Sequence, residues 1–128
     1  MTNRRSLIAG ATLATLLGGA ASAAPAAHGP TFGMVGRIKA KPGQRAALGA
    51  LMVGGTTAMP GCLSYIVAED VGEADTLWIF EAWTSKAEHA ASLRLPTVRA
   101  LIGKARPLIA GFEPGAELNV LGGIGVAR

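Results

Sequence analysis

The order of six segments with regular hydrophobic spacing constrains the fold of this chain more than any other feature of its sequence. Four segments alternate apolar and polar residues, as β-strands do, and two repeat apolar residues at helical spacing. Their order predicts an α+β fold, the ferredoxin-like βαββαβ plait, in which an antiparallel four-stranded sheet carries its helices on one face. The predicted strands are 32–40, 62–69, 76–83 and 118–121, and the predicted helical regions are 44–57 and 86–106.

The second helical region carries its own boundary signals. It opens on a capping box, with Ser85 as the N-cap and Glu88 reaching back to it. Leu95-Pro96 interrupts the region, so a further helix is expected to begin near Thr97. That helix is expected to end before Pro107, because proline is costly inside a helix.

Residues 1–23 are expected to be a targeting segment rather than part of the fold. Arg4 and Arg5 form a basic start, Leu7–Ala21 is apolar, and Ala21-Ser22-Ala23 supplies the small residues of a cleavage site. The adjacent arginines match a twin-arginine signal peptide, and an ordinary secretory signal stays open as the alternative. Either route predicts an exported bacterial protein, periplasmic or secreted.

Charge and composition limit what the remaining chain can bind. Cleavage after Ala23 would leave 105 of the 128 residues, with 10 basic and 8 acidic side chains and a net charge of +2. Such a chain lacks the basic footprint of a nucleic-acid-binding protein, and the leader is too short for a stable membrane anchor. One cysteine and two histidines exclude an internal disulfide and a cysteine- or histidine-rich metal site. Residues 24–31 are interpreted as a flexible lead-in, 32–122 as the domain and 123–128 as a C-terminal tail.

One face of the predicted sheet has nothing in the chain to cover it. A single domain of this size has a thin core, and both helical regions are used on the other face. Residues such as Val35, Leu63 and Phe80 are expected on the uncovered face. A second copy packed sheet to sheet with two-fold symmetry is the simplest cover, so a homodimer is predicted.

Four short motifs follow one another along the chain with characteristic spacing. Lys41-Pro42-Gly43 follows the first strand, Pro60-Gly61-Cys62 opens the second, and Tyr65 comes three residues later. Glu81-Ala82-Trp83-Thr84-Ser85 closes the third strand, and Leu95-Pro96 lies within the second helical region. Over residues 32–122 the chain therefore resembles the antibiotic-biosynthesis monooxygenase (ABM) domain family, which includes quinol monooxygenases.

The resemblance implies a homodimeric α+β barrel and a cofactor-independent oxidation of a small quinol or phenol by O₂, without flavin, haem or metal. In that chemistry the substrate supplies the electrons. The protein binds a flat aromatic molecule in an apolar pocket, favours its anion and excludes water. Many quinol-type relatives carry two histidines where this chain has Ser92 and Thr97. Haem-degrading relatives need asparagine, tryptophan and histidine where it has Gly36, Ser92 and Ile102, so haem degradation is not expected.

His89, Trp83 and Glu81 are the candidate catalytic residues. His89 is the only histidine of the predicted domain and would suit a general base, the alternative being a solvent-facing helix residue. Trp83 would form an aromatic wall of the pocket or pack in the core between sheet and helix. Glu81 shares the face of Trp83 and is either a pocket base or, more simply, the ion-pair partner of Arg37, because an unpaired buried carboxylate is costly.

Tyr65, Arg37 and Asn119 are the candidate substrate-binding residues. Tyr65 would orient a substrate oxygen or have a structural role at a sheet edge. Asn119, on the last strand, would donate to a quinone-like oxygen or bind backbone. Cys62 is interpreted as a small buried hydrophobe, with a disulfide across the dimer as the alternative.

Two functions stay open on the sequence alone. One is the cofactor-independent monooxygenase that the resemblance implies. The other is a non-catalytic dimeric barrel that binds a small apolar ligand or acts in an oxidative-stress response. The missing histidines favour the second, and the family motifs together with export favour the first.

Overall fold

A computed structural model describes residues 31–126, which form a four-stranded antiparallel sheet with helices on one face. The elements are β1 (Thr31–Ala40), α1 (Arg45–Gly54), β2 (Cys62–Glu69), β3 (Thr76–Trp83), α2 (Lys86–Ser92), α3 (Pro96–Ala105), a 3₁₀ turn (Arg106–Leu108) and β4 (Ile109–Val120). The strand order is β2-β3-β1-β4, so the predicted ferredoxin-like fold is confirmed. The predicted leader, residues 1–23, lies outside the described residues and stays a prediction.

The helix boundaries follow the signals of the sequence closely. Ser85 is the N-cap of α2, and its Oγ accepts a hydrogen bond from the Glu88 N–H at 3.1 Å. Pro96 is the first residue of α3, one residue earlier than predicted, because the first turn needs no N–H from it. The first helix is shorter than the predicted 44–57: it ends at Gly54, where the Gly55 N–H closes the last turn.

The last strand is longer than predicted. It runs over Ile109–Val120 rather than 118–121, so the expectation for its start was wrong. Pro114 and the glycines around it hide the strand pattern in the sequence. β4 is an edge strand, where a proline leaves no ladder partner unsatisfied, and a register shift against β1 between Val35 and Arg37 accommodates the irregular stretch.

The core lies between the sheet and the helices. Leu48 and Met52 of α1 pack on strand residues that include Ile38, Leu77 and Ile79. Leu48 and Leu77 have almost no exposed surface, so the burial of each adds about 2 kcal/mol of hydrophobic stabilisation to this layer.

Hydrogen bonds fix the β2–β3 hairpin against α1. Arg45 donates to the carbonyls of Asp70 and Glu73 at 2.8 and 3.0 Å and pairs with Glu69 at 2.8 Å. The Trp78 indole donates to Asp70 Oδ2 at 2.7 Å, and this bond, with backbone N–H groups of the turn, lowers the pKa of the Asp70 carboxyl. The loop therefore sets the register in which β2 presents its side chains to β3.

The far face of the sheet carries large apolar side chains that nothing in the described chain covers. Phe80, Ile66 and Leu118 are 43%, 54% and 45% exposed, and Val35 pairs directly with Phe80 in the β1–β3 ladder. Leu63 lies at a register shift between β2 and β3. The homodimer stays a prediction. Within residues 31–126, no helix is long and apolar enough to cross a membrane.

The β1–β4 register shift leaves no room for a side chain at Gly115, and this can be tested. A Cβ at this position would overlap the Val35 carbonyl oxygen, whereas a Cβ at Gly111 of the same strand meets nothing within 4 Å. We expect Gly115→Ala to lower the free energy of unfolding by about 1–3 kcal/mol. The matched change Gly111→Ala should stay within about 0.5 kcal/mol of the parent. Urea denaturation of both variants measures the difference, and equal stabilities would contradict this account of the strand.

Candidate active site

Three strand residues reach the helix-facing side of the sheet by simple alternation. Glu81 and Trp83 are two residues apart on β3 and therefore point to the same face. Tyr65 on β2 pairs directly with Glu81, so its side chain stands beside the carboxylate. His89 joins them from α2, the helix that begins immediately after β3. Four of the six site residues predicted from the sequence therefore meet in one place.

The Glu81 carboxylate is held by one of its two oxygens. The Trp83 indole N–H donates to Glu81 Oε2 at 2.8 Å, and His89 Nε2 lies 3.5 Å from the same oxygen. The Glu81 and His89 side chains are only 16% and 19% exposed. Oε1 accepts no hydrogen bond from any group of residues 31–126. The carboxylate thus presents a fixed and unoccupied proton-accepting oxygen.

This geometry corrects the expectation that Glu81 pairs with Arg37. β1 places Met34 opposite Glu81, so Arg37, three residues further on, points to the other face of the sheet. There Arg37 pairs with Glu113, and its guanidinium lies over the Trp78 ring at 5.0 Å. Trp83 and His89 replace it as the partners of the carboxylate.

Two aromatic rings and two helix hydrogen bonds position His89. Its ring lies 5.5 Å from that of Phe32 and 5.3 Å from that of Trp83, the latter in an edge-on arrangement. The His89 N–H bonds to the Ser85 carbonyl, and its carbonyl accepts a 2.6 Å hydrogen bond from the Ser92 hydroxyl. The interpretation of His89 as a solvent-facing helix residue is therefore wrong: it faces the interior.

Trp83 serves both roles that the sequence left open. It is 1% exposed and so belongs to the core, yet it also lines a cavity between the sheet and the helices. Its only polar atom is satisfied by Glu81, which explains how an indole can be buried here.

The four residues line a cavity of about 480 Å³ between the sheet and the helices. Most of the wall is apolar and comes from α1, α3 and β4. Two of its hydroxyls are already used, because Thr56 donates to the Met52 carbonyl and Ser92 to that of His89. Apolar lining residues include Met52, Met59, Val98, Leu101, Ile102, Ile109 and Phe112. A flat apolar molecule would be buried here beside a small polar cluster.

Tyr65 is the neutral member of that cluster. Burial, followed by the negative charge of Glu81 and the influence of Cys62, raises the pKa of the Tyr65 phenol well above its usual range. Its hydroxyl has no hydrogen-bond partner among residues 31–126. It remains a hydrogen-bond donor at any ordinary pH and cannot serve as a phenolate base.

Arg37 and Asn119 do not line this cavity. Arg37 borders a neighbouring depression of about 350 Å³, which also touches Tyr65 and Glu81, but its guanidinium is occupied by Glu113. Asn119 borders a separate shallow depression with Phe32 and Lys86 at the other end of β1. The two residues are thus separated from the Glu81 cluster by sheet face and by position along the strand.

Some residues of the site were missed by the sequence reasoning. Phe32, a ring partner of His89, begins the first predicted strand but was given no role, although it lies on the same strand face as the core residue Ile38. The wall formed by Ile109 and Phe112 was missed because the last strand was expected to begin later. Within residues 31–126, no three histidine, cysteine, aspartate or glutamate side chains are grouped as metal ligands.

Cys62 lies close to the cluster but outside the cavity wall. It is a half-buried free thiol rather than a fully buried one, and its Sγ contacts the Ser64 carbonyl at 3.6 Å. Burial and, second, the charge of Glu81 raise the pKa of the Cys62 thiol. The thiol is therefore kept protonated and weakly reactive.

Comparisons with known proteins agree with the fold. The family model for antibiotic biosynthesis monooxygenases matches residues 31–104. A solved Chloroflexus aurantiacus structure, assigned by its name to that family, is 46% identical with a TM-score of 0.74. The match covers 76% of this chain and 99% of that chain. No curated protein matches the chain. The resemblance inferred from the motifs is thereby confirmed.

More distant structures share the fold. A Caulobacter crescentus protein with the same family name is 18% identical, with a TM-score of 0.66 over 73% of this chain and 92% of that one. A Nitrosomonas europaea protein described as of unknown function is 23% identical, with a TM-score of 0.61 over 75% and 94%. At these identities the comparison supports the architecture alone.

The surroundings of Tyr65 can be tested directly because it is the only tyrosine in the sequence. We expect its phenolate absorbance to develop well above pH ~10 in the folded protein and near pH ~10 in denaturant. Because the folded-state pKa is the higher one, Tyr65 makes the fold less stable as pH rises past the unfolded pKa. Glu81→Gln should move the folded midpoint downward, since it removes a charge that raises it. A midpoint equal to that of the denatured chain would contradict the burial of the phenol.

Proposed function

Because the chain belongs to the antibiotic biosynthesis monooxygenase family, we propose that it is a cofactor-independent monooxygenase that oxidises a small quinol or phenol with O₂. One observation carries the proposal: the carboxylate of Glu81, with Oε1 free, stands in the wall of a largely apolar cavity. Such a site binds an aromatic ring and can remove a proton from its hydroxyl.

The reaction balances without an added reductant. One atom of O₂ forms a new C–O bond at a ring carbon of the phenol, the other leaves as water, and the product is a quinone. The substrate gives up all four electrons that O₂ accepts. Loss of the phenolic proton comes first, because the electron-rich phenolate transfers an electron to O₂ far more readily than the neutral phenol. An enzyme of this kind therefore contributes chiefly a general base and a cavity that excludes water.

Each residue of the cluster has a part in this step. Glu81 Oε1 accepts the phenolic proton, while the Trp83 N–H holds Oε2 and so fixes the orientation of the carboxylate. His89, beside Oε2, stabilises the carboxylate when protonated and passes the proton on. The neutral Tyr65 hydroxyl donates to the substrate oxygen, and this hydrogen bond strengthens as the oxygen becomes anionic.

Ligand binding without turnover is the second candidate function. It is favoured by the Ser92 hydroxyl, which is buried and already donates to the His89 carbonyl where many quinol-type relatives carry a histidine. The same apolar cavity would then hold an aromatic ligand, with the Glu81 cluster serving to orient it. Measurement of turnover separates the two functions.

We expect purified protein to consume O₂ with hydroquinones or small phenols faster than their autoxidation. Glu81→Gln should lower kcat/KM by about 10²–10⁴-fold, because the amide keeps the shape of the side chain but cannot accept the proton. Trp83→Phe should give a smaller loss, since it removes only the hydrogen bond that orients the carboxylate. An oxygen electrode, with identification of the quinone product, measures both effects.

Glu117→Gln is the matched control for loss of one negative charge. Glu117 is exposed, pairs with Lys86 and does not line the cavity. Its rate should equal that of the parent. If every hydroquinone and phenol is consumed only at the autoxidation rate while an aromatic ligand still binds, the oxygenase proposal fails and the binding function stands.

We also propose a homodimer packed through the far face of the sheet. Light scattering is expected to give twice the chain mass, and Phe80→Asp should give single chains, because it buries a charge in an apolar interface. Val71→Asp, at a fully exposed position of the β2–β3 loop, is the control and should stay dimeric. Parent protein that remains a single chain at all working concentrations would overturn the dimer.

A further inference from the structure

Positive charge is concentrated in one segment of the chain. Between Glu88 and Glu113 the sequence contains four cations, Arg94, Arg99, Lys104 and Arg106, and no acid. The rest of residues 31–126 contains five cations and eight acids. The domain is therefore close to neutral as a whole but strongly basic along α3 and its flanks.

All four cations are exposed and have no ion-pair partner among residues 31–126, and three of them are arginines. Arg94, Arg99 and Arg106 make no ion pair or side-chain hydrogen bond with any group of residues 31–126, and all three are open to solvent. By contrast, Arg37 and Arg45 are each paired with a glutamate. Guanidinium groups left free in this way are available to an external anion.

Apolar side chains are exposed between these cations. Leu93 and Ile102 are 49% and 37% exposed. They share a shallow depression with Arg99 and Arg106, and residues 99, 102, 103 and 106 recur at the spacing of one helix face. With Arg94, next to Leu93, these four side chains form what we call the basic rim: Leu93, Arg94, Arg99, Ile102 and Arg106.

We propose that the basic rim docks on a bilayer surface containing anionic phospholipids. The lipid phosphates would form ion pairs with the free guanidinium groups. The bilayer interface would bury the apolar side chains of Leu93 and Ile102, which are unfavourably exposed to water. A nucleic acid or an acidic protein would match the charges but not the apolar side chains between them, and the rim offers no aromatic ring for a base. The rim lies on the helix side, so a dimer through the far face of the sheet leaves it open.

The basic rim is also the edge of the cavity. Leu93, Ile102 and Arg106 line both the shallow depression and the cavity that contains Glu81. If the proposed oxidation of a quinol or phenol is correct, a lipid-soluble substrate passes from the bilayer into the cavity without crossing water. That consequence rests on the proposed function, whereas docking itself does not.

Vesicle co-sedimentation of the full chain tests docking without any turnover. The probes are phosphatidylcholine vesicles with and without phosphatidylglycerol. We expect binding that requires phosphatidylglycerol and weakens with salt, and a loss of about tenfold or more in affinity for Arg99→Gln/Arg106→Gln. The matched control, Lys39→Gln/Lys86→Gln, removes the same charge away from the rim and should bind as the parent does. All variants share one N-terminus, so any contribution from residues 1–30 cancels in the comparison.

Three results would overturn docking. One is equal weakening of both double variants, which would mean a response to net charge alone. Another is the absence of any dependence on phosphatidylglycerol, and the third is binding to polyglutamate but not to vesicles. Failure of O₂ consumption with intact vesicle binding would instead refute the proposed reaction and leave docking in place.

Discussion

A carboxylate placed in an apolar layer must find partners within the protein, and Glu81 is the group around which the helix-facing side of this sheet is arranged. Trp83 and Glu81 satisfy each other's hydrogen-bonding requirement, because the buried indole N–H needs an acceptor and the carboxylate needs a donor. His89 adds a second partner on the same oxygen. Both partners contact Oε2, so Oε1 has none among residues 31–126, and the Glu81 side chain lines a space large enough for an aromatic ring.

The position of α2 decides whether His89 can take part. Gly61, which has φ of 83°, lies so close to this helix that a Cβ would come within 2.7 Å of Glu88 Cβ. The Gly61 carbonyl accepts the Thr84 N–H at 2.9 Å, directly before the Ser85 cap. The glycine immediately before β2 therefore allows the close approach of the helix that carries His89. This explains physically why a glycine is needed in the Pro60-Gly61 motif.

Alternation and caps were enough to predict the fold, the bounds of β2 and β3, and the shared face of Glu81 and Trp83, because these follow from local geometry. That Tyr65 stands beside Glu81 was not predicted, because it depends on the pairing of β2 with β3. Which residues pair across strands did not follow. Arg37 was matched to Glu81 although the register puts them on opposite faces, and register depends on both strands at once. The start of β4 was missed because proline and glycine in a sequence usually indicate the end of a strand. An edge strand tolerates them, but the sequence does not show that β4 lies at the edge of the sheet.

The burial that shapes this cavity also suits the proposed O₂ chemistry. The exclusion of water and, second, the charge on Glu81 raise the pKa values of Tyr65 and Cys62, so both neighbours stay protonated. A protonated phenol donates a hydrogen bond without giving up electrons, and a protonated thiol is a poor target for oxidants because the thiolate is the reactive form. The single anionic group of the cluster can then act on a bound molecule while its neighbours resist oxidation. This division of protonation states between neighbouring groups is what the proposed base would need in a site that holds oxygen.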